Sequence, residues 1–91
     1  MDFKENLETV VFTTRFVIEN NAPIIFVFHF DDGSWQFSST EDNLADEDFR
    51  VVSLGEIIEC DISVVELANM PVNSEAMRAN PASPWRITIK N

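Results

Sequence analysis

The chain is poor in the residues that build most catalytic and cofactor sites. Its 91 residues include one cysteine, one histidine and two glycines. One cysteine cannot form an internal disulfide, and with a single histidine it cannot supply the ligand set of an ordinary zinc site. Two glycines, Gly33 and Gly55, make neither a glycine-rich phosphate loop nor a Gly-x-Ser-x-Gly nucleophile elbow. The composition therefore argues against the common enzyme classes, and no cofactor is expected.

Long apolar runs are also missing. The apolar run within the first fifteen residues, Val10–Phe12, is too short for the core of a signal peptide. No later run approaches the roughly 20 apolar residues that a membrane span requires. Together with the unpaired cysteine, these features predict a cytoplasmic protein without a membrane partner.

Positive charge is scarce. Six Lys and Arg residues face 16 Asp and Glu residues, for a formal net charge of −10. Between Glu41 and Asp61 the chain carries eight acidic residues and one base, Arg50. Such a field repels nucleic acid and favours a basic protein partner, although acidity can also serve only to keep a small protein soluble.

Aromatic and β-forming residues are abundant. Eight Phe, two Trp and a hydrophobic content of 45% are enough for the core of one domain. We expect that domain to span residues 1–91, with the polar residues 1–8 frayed.

The segment Ile24–Phe37 predicts a β-hairpin. Ile24–Phe30 lacks polar alternation, which favours a central strand, and Asp32-Gly33 predicts a two-residue type I′ turn before a strand at Ser34–Ser38. With that turn, one face of the hairpin would carry the aromatic core: Phe26, Phe28, Phe30, Trp35 and Phe37. The other face would carry His29, Gln36 and Ser38, and would either dock a partner or be covered by another segment.

The remaining elements follow from caps, breakers and alternation. A strand is predicted at Thr9–Thr13, with Thr14–Ile18 either one helical turn or extended, and an acidic loop at Ser39–Asp48. The capping-box pattern Ser53–Glu56 predicts a helix at Leu54–Glu59, and Asp61 or Ser63 begins a second helix through Met70, which Pro71 ends. Glu75–Ala79 is interpreted as a strand rather than a helix, paired with Trp85–Ile89, in which one face is expected to be buried. The predicted fold is α+β, with a single largely antiparallel sheet of four to five strands and two short helices packed on one face.

Few side chains are candidates for chemistry. His29 with Asp31 could act as a general base, but no nucleophile accompanies them. Cys60 lies among acidic residues, which raise a thiol pKa and argue against a reactive thiolate. The acids near Asp31 and in the loop lack the spacing and glycine of a calcium-binding EF-hand loop, so no metal is expected.

Several of these motifs resemble a known family. They are Asp32–Phe37 (Asp-Gly-Ser-Trp-Gln-Phe), Val51–Ile58, Asp61–Ser63 and Glu66–Pro71. The pattern resembles small bacterial proteins of unknown function related to immunity proteins of polymorphic toxin systems. The chain departs from it at Ile62, where proline is usual, and at Ser39–Asp42. The resemblance implies protein binding and supplies no catalytic residues.

The resulting hypothesis is a non-enzymatic protein-binding domain, of the immunity type, that neutralises a basic toxin through an acidic surface. The candidate partner-binding residues are His29, Gln36, Ser38, Glu41, Asp42, Asp46, Glu47 and Asp48. Two alternatives remain: a small-molecule or metal sensor domain, and a structural module that forms homo-oligomers. The sequence leaves the partner and the oligomeric state open.

Overall fold

A computed structural model describes residue 3 and residues 5–90. Of the segment 1–8, predicted to be frayed, residues 1, 2 and 4 lie outside the described residues. Phe3 packs edge-on against Trp35 with 5.2 Å between ring centroids. The Leu7 carbonyl accepts a 2.9 Å hydrogen bond from the Gly55 amide. The described part of this segment therefore contacts the body of the domain.

Six strands form one mixed sheet in the order β4-β1-β3-β2-β5-β6. Their bounds are β1 Val10–Thr14, β2 Phe26–His29, β3 Trp35–Ser38, β4 Phe49–Ser53, β5 Ser74–Met77 and β6 Arg86–Ile89. Neighbouring strands are antiparallel except β1 and β3, which run parallel. The α+β class is confirmed, but the sheet has six strands rather than four to five. No local sequence pattern marks the parallel β1–β3 contact, because a parallel neighbour needs a crossover connection rather than a turn.

Short helices connect the strands, and their starts follow the caps. Helix α1 (Arg15–Asn20) begins at Thr14, whose side chain accepts from the Val17 amide, and α2 (Leu54–Cys60) begins with the predicted capping box of Ser53 and Glu56. The predicted second helix is shorter and tighter, a 3₁₀ helix over Ile62–Leu67 that Asp61 caps. Within the described residues, no helix has the length and apolarity to cross a bilayer.

The β2–β3 hairpin differs from the prediction by one residue. Gly33 donates to the Phe30 carbonyl at 2.9 Å and adopts a φ of 90°, whereas Asp32 is not among the positive-φ residues. The loop is therefore the three residues 31–33, the next most common hairpin geometry, and not a type I′ turn. His29 pairs with Trp35 and Phe28 with Gln36.

That shift reassigns both faces of the sheet, because side chains alternate along a strand. The expected aromatic face is split. Trp35 and Phe37 lie in the core with Val27 and His29, whereas the even-numbered residues of β2 lie on the opposite face. His29 is thus on the core side, away from Gln36 and Ser38, which corrects the predicted mixed face.

The core lies between one face of the sheet and the helices. Buried helical residues join buried sheet residues in one cluster, which includes Val17, Leu54, Ile57, Val64, Leu67, Val11, Val27, Trp35, Phe37 and Ala76. The predicted burial of one face of the last strand is wrong: Ile87 and Ile89 are 48% and 58% exposed. β6 is an edge strand, and the helical layer does not bury it.

Candidate functional site

The face of the sheet opposite the helices carries several exposed apolar side chains. We call it the open face and define it by the residues that the strand registers place there: Val10, Phe12, Phe26, Phe28, Gln36, Ser38, Val51, Glu75, Met77, Arg86 and Thr88. Helices α1 and α2 and the 3₁₀ helix bury five apolar residues against the other face: Val17, Leu54, Ile57, Val64 and Leu67. The helices therefore do not cover the open face.

Apolar side chains of the open face lie on both sides of β3, whose own residues on this face, Gln36 and Ser38, are polar. Phe12 of β1 pairs with Val51 of β4 on one side and with Gln36 of β3 on the other. Phe12 is 42% exposed and Val51 is 61% exposed. Phe26 and Phe28 are half-buried, and Met77 opposite Phe26 is 46% exposed. Exposed apolar side chains grouped with polar ones on one surface are typical of protein interaction sites.

An acidic segment, residues 41–48, connects β3 with β4 and borders this face. Its acids are Glu41, Asp42, Asp46, Glu47 and Asp48. Asp48 is engaged within the fold: it accepts from the Ala45 amide at 2.9 Å and from Arg15 at 2.8 Å. The Ala45 hydrogen bond first, and then Arg15, lower the pKa of the Asp48 carboxyl. Among the described residues, none of the other four acids has a basic group within 4.0 Å.

The start of the acidic segment and the open face enclose a groove, which we call the acidic groove. Its volume is about 420 Å³, and it is lined by Phe26, Phe28, Gln36, Ser38, Ser39, Thr40, Glu41, Asp42, Leu44 and Glu75. Four of the predicted site residues meet here: Gln36, Ser38, Glu41 and Asp42. Asp46 and Glu47 are exposed farther along, in the 3₁₀ turn before β4.

His29 does not belong to this surface. It is 8% exposed, its ring stacks on Trp35 at 3.8 Å, and its Nδ1 lies 2.9 Å from the Met70 carbonyl oxygen. The low exposure, the stack on Trp35 and the contact with the Met70 carbonyl explain His29 as a packed residue on the core side of the sheet. Asp31, the proposed orienting group, is an exposed residue of the hairpin loop.

The sequence analysis named Gln36 and Ser38 but missed the apolar residues of the open face and Glu75. Phe12, Phe26, Phe28 and Val51 were assigned to the core or to no site, and Glu75 to no site. The alternation of Phe26, Phe28 and Phe30 predicts that these residues share one face of the sheet. It does not predict whether the helices pack on that face or on the other one. Only the loop length decides that, since one residue exchanges the two faces.

Other groups with possible reactivity are few. Among residues 3 and 5–90, no group of three His, Cys, Asp or Glu side chains is placed to hold a metal ion. Cys60 lies at the end of α2 and is exposed as a residue. Partial burial of its thiol, and then the charges of Glu56, Glu59 and Asp61, raise the pKa of that thiol. A thiol with a raised pKa is a poor nucleophile at neutral pH.

Comparison with protein-family models, with curated proteins and with solved structures finds no match to this chain. The geometry of the open face and the acidic segment is thus the basis for a functional proposal.

Proposed function

We propose that this protein is a non-enzymatic binding domain that holds a basic protein on its open face and acidic segment. The observation that carries the proposal is the adjacency of an uncovered apolar sheet face and a run of acids with few internal partners. Phe12, Val51 and Met77 supply the apolar contact, each between 42% and 61% exposed. Protein interfaces combine apolar and aromatic side chains with polar ones.

Charge defines the class of partner. The chain carries a net charge of −10, and two acids of segment 41–48, Glu41 and Asp42, line the groove beside the open face. Complementary charge accelerates association and excludes wrong partners, and its effect falls as salt rises. A basic protein is the partner that this surface favours.

The sequence resemblance to immunity-related proteins supports a basic toxin as that partner. In such a role the domain needs no reaction of its own, because covering a surface of the toxin is enough to neutralise it. Of the eight candidate residues, His29 and Ser38 are buried. The other six are exposed or half-buried: Gln36, Glu41, Asp42, Asp46, Glu47 and Asp48. Asp42, Asp46 and Glu47 are the exposed ones.

The test combines capture with matched variants. The tagged protein is used to capture proteins from a lysate of its source at low and moderate salt, and a captured basic protein is then purified for binding kinetics. Phe12→Ser should weaken binding about tenfold or more, because an exposed aromatic side chain of the proposed interface is lost. Ile62→Ser is the control, since Ile62 is 68% exposed but lies on the 3₁₀ helix.

The electrostatic part is tested separately with Asp46→Lys combined with Glu47→Lys. We expect slower association and a flatter dependence on salt, with little change in dissociation. Binding that neither variant alters would contradict the proposal. A stable dimer by sedimentation with no other protein captured would favour the homo-oligomeric module, and a ligand-dependent rise in melting temperature would favour a sensor domain.

A further inference from the structure

One ring nitrogen of the buried histidine has no partner inside the protein. His29 is 8% exposed, and its Nδ1 lies 2.9 Å from the Met70 carbonyl oxygen. A carbonyl oxygen can only accept, so Nδ1 carries the proton and Nε2 of the neutral ring is a hydrogen-bond acceptor. Nε2 has no hydrogen-bond partner among the described residues. The ring therefore keeps one acceptor unused, although buried polar groups are nearly always paired.

This nitrogen is open to solvent rather than sealed in the core. Two buried side-chain atoms of the described residues are both unpartnered and closed to solvent, Glu41 Oε1 and Trp85 Nε1, and Nε2 of His29 is not one of them. His29 lines a cavity of about 460 Å³ between the hairpin loop and the chain that follows the 3₁₀ helix. We call it the histidine cavity.

The neighbours of the imidazole show that the ring faces this cavity. His29 also borders a smaller cavity of about 160 Å³. Met70, whose carbonyl accepts from the ring, lines the larger cavity and not the smaller one. Glu5 also lines only the larger one, and it accepts a 2.9 Å hydrogen bond from the indole nitrogen of Trp35, the ring on which His29 stacks. A group that enters the histidine cavity can therefore reach Nε2.

A carboxylate accompanies the imidazole in the histidine cavity. Glu5 Oε2 accepts from Trp35, and Glu5 Oε1 has no hydrogen-bond partner among the described residues. No basic group in the described part of the chain lies within 4.0 Å of this carboxylate. Trp35 positions both groups, because it stacks on the imidazole and donates to the carboxylate. The cavity thus presents two acceptors and calls for a ligand that donates.

The remaining walls and the size of the cavity define the ligand further. Ala68, Met70, Pro71 and Val72 line it, so an apolar body can pack there. An ammonium has a positive charge and three N–H donors, and it can donate to a carboxylate and an imidazole at once. The volume of about 460 Å³ lies in the range of small-molecule sites. A metal ion fits less well, because no group of three His, Cys, Asp or Glu side chains within residues 3 and 5–90 is placed to hold one.

We propose that the histidine cavity binds a primary ammonium compound with an apolar body, whose N–H groups donate to Nε2 of His29 and to the Glu5 carboxylate. His29 lies on the core side of the sheet, whereas the open face is on the other side. The inference therefore does not depend on the proposed function, and either can fail without the other.

The histidine itself reports binding. His29 is the single histidine of the chain, so its imidazole nitrogen signals are unambiguous. The ¹⁵N-labelled protein is titrated with benzylammonium at a pH at which those signals show a neutral ring. We expect a saturable shift of Nε2, with Nδ1 keeping its proton, and amide shifts centred on residues 68–72. Benzyl alcohol, which lacks the charge, and benzyltrimethylammonium, which lacks the N–H donors, should each bind at least about tenfold more weakly.

Matched variants locate the carboxylate. Glu5→Gln keeps an acceptor for Trp35 but removes the charge, and it should weaken benzylammonium binding about tenfold. Glu8→Gln changes an exposed acid outside the cavity and should leave binding unchanged. Equal binding of benzyltrimethylammonium, an Nε2 signal that does not move, or no saturable shift at all would overturn the inference and leave Nε2 to solvent water.

A further ligand distinguishes two sources of the ammonium group, a free amine and a lysine side chain of another protein. Nα-acetyl-lysine amide carries the same ammonium, but its peptide groups must stay outside the cavity. Weaker binding of this compound than of benzylammonium would assign the site to a free amine, and tighter binding would assign it to a lysine side chain. Both results support the ammonium site.

Discussion

Trp35 lies directly across from His29 in the β2–β3 ladder, and the two rings stack with 3.8 Å between centroids. This pair places an imidazole inside the aromatic core and turns the even-numbered phenylalanines of β2 outward. The open face, and with it the candidate binding site, exists because these two residues face each other. The hairpin loop that fixes their pairing is therefore the first feature to test.

The three-residue loop predicts that two changes involving glycine both destabilise the protein. Gly33→Ala should lower the free energy of unfolding by about 1 kcal/mol, because Gly33 has a φ of 90°. Asp32→Gly should also destabilise, since the Asp32 carboxylate accepts from the Ser34 amide at 2.9 Å and from its hydroxyl at 2.6 Å. In a type I′ turn, Asp32 would have positive φ and glycine there would stabilise. Urea unfolding of both variants measures this, and a stabilising Asp32→Gly would contradict the three-residue loop.

Local signals in the sequence determine most elements of this fold but not the faces of its sheet. The capping box at Ser53 and Glu56 gave the start of α2, because both hydrogen bonds lie within one turn. The strand pairs of the two hairpins were likewise local. The faces depended on whether Asp31 belonged to the strand or to the loop, and both choices fit the same residues. The parallel β1–β3 contact is nonlocal and left no pattern.

A pair of phenylalanines tests the assignment of the two faces. Phe37 is fully buried and Phe12 is 42% exposed. Phe37→Ala should lower the free energy of unfolding by about 3–5 kcal/mol, because it removes a packed ring and leaves a cavity. Phe12→Ala should change it by less than about 0.5 kcal/mol, since little packing is lost at an exposed position. Chemical denaturation reports both, and equal losses would mean that the outer face is covered as well.

The candidate site was predictable in its acidic part and at Gln36 and Ser38, but not in its apolar residues. The run Glu41–Asp48 is visible in the sequence, and its position after β3 places it next to the sheet. That Glu41 and Asp42 come to face Phe26, Phe28 and Glu75 depends on β2 and β5 being neighbours. Phe26 and Glu75 are about fifty positions apart in the sequence. No local pattern predicts a contact over that distance.

Cys60 should react slowly with alkylating reagents. Partial burial, then Glu56, Glu59 and Asp61, raise the pKa of its thiol above the ordinary 9.0. Because the thiolate is the reactive form, the rate of alkylation by iodoacetamide should keep rising above pH 9. Glu59→Gln should increase the rate at neutral pH, and protein unfolded in urea, which lacks these neighbours, is the reference. A rate–pH profile with its midpoint below 9 would contradict the raised pKa.

Arg78 and Asp61 tie β5 and the following turn to the start of the 3₁₀ helix. Arg78 is 3% exposed, and its guanidinium donates to Asp61 at 2.5 Å, to Ser63 at 2.9 Å and to the Ile24 carbonyl at 3.0 Å. Its charged plane also stacks on Trp85 at 4.1 Å. Arg78→Met should lower the free energy of unfolding by about 3 kcal/mol, because it leaves partly buried acceptors without their donor.

The same pair makes part of the stability depend on pH. Burial raises the pKa of Asp61, but hydrogen bonds from Ser63 and Arg78 outweigh it and hold the pKa below the ordinary 3.8. The unfolded chain therefore takes up the proton first as pH falls. The contribution of Asp61 is complete above about pH 5 and is lost as pH falls through 3.8 toward the folded pKa. Asp61→Asn should thus be less stable than the wild type at neutral pH, with the gap closing in acid. Urea unfolding of both proteins from pH 7 to about 2 measures the gap, and a gap that stays constant would show that protonation of Asp61 is not linked to folding.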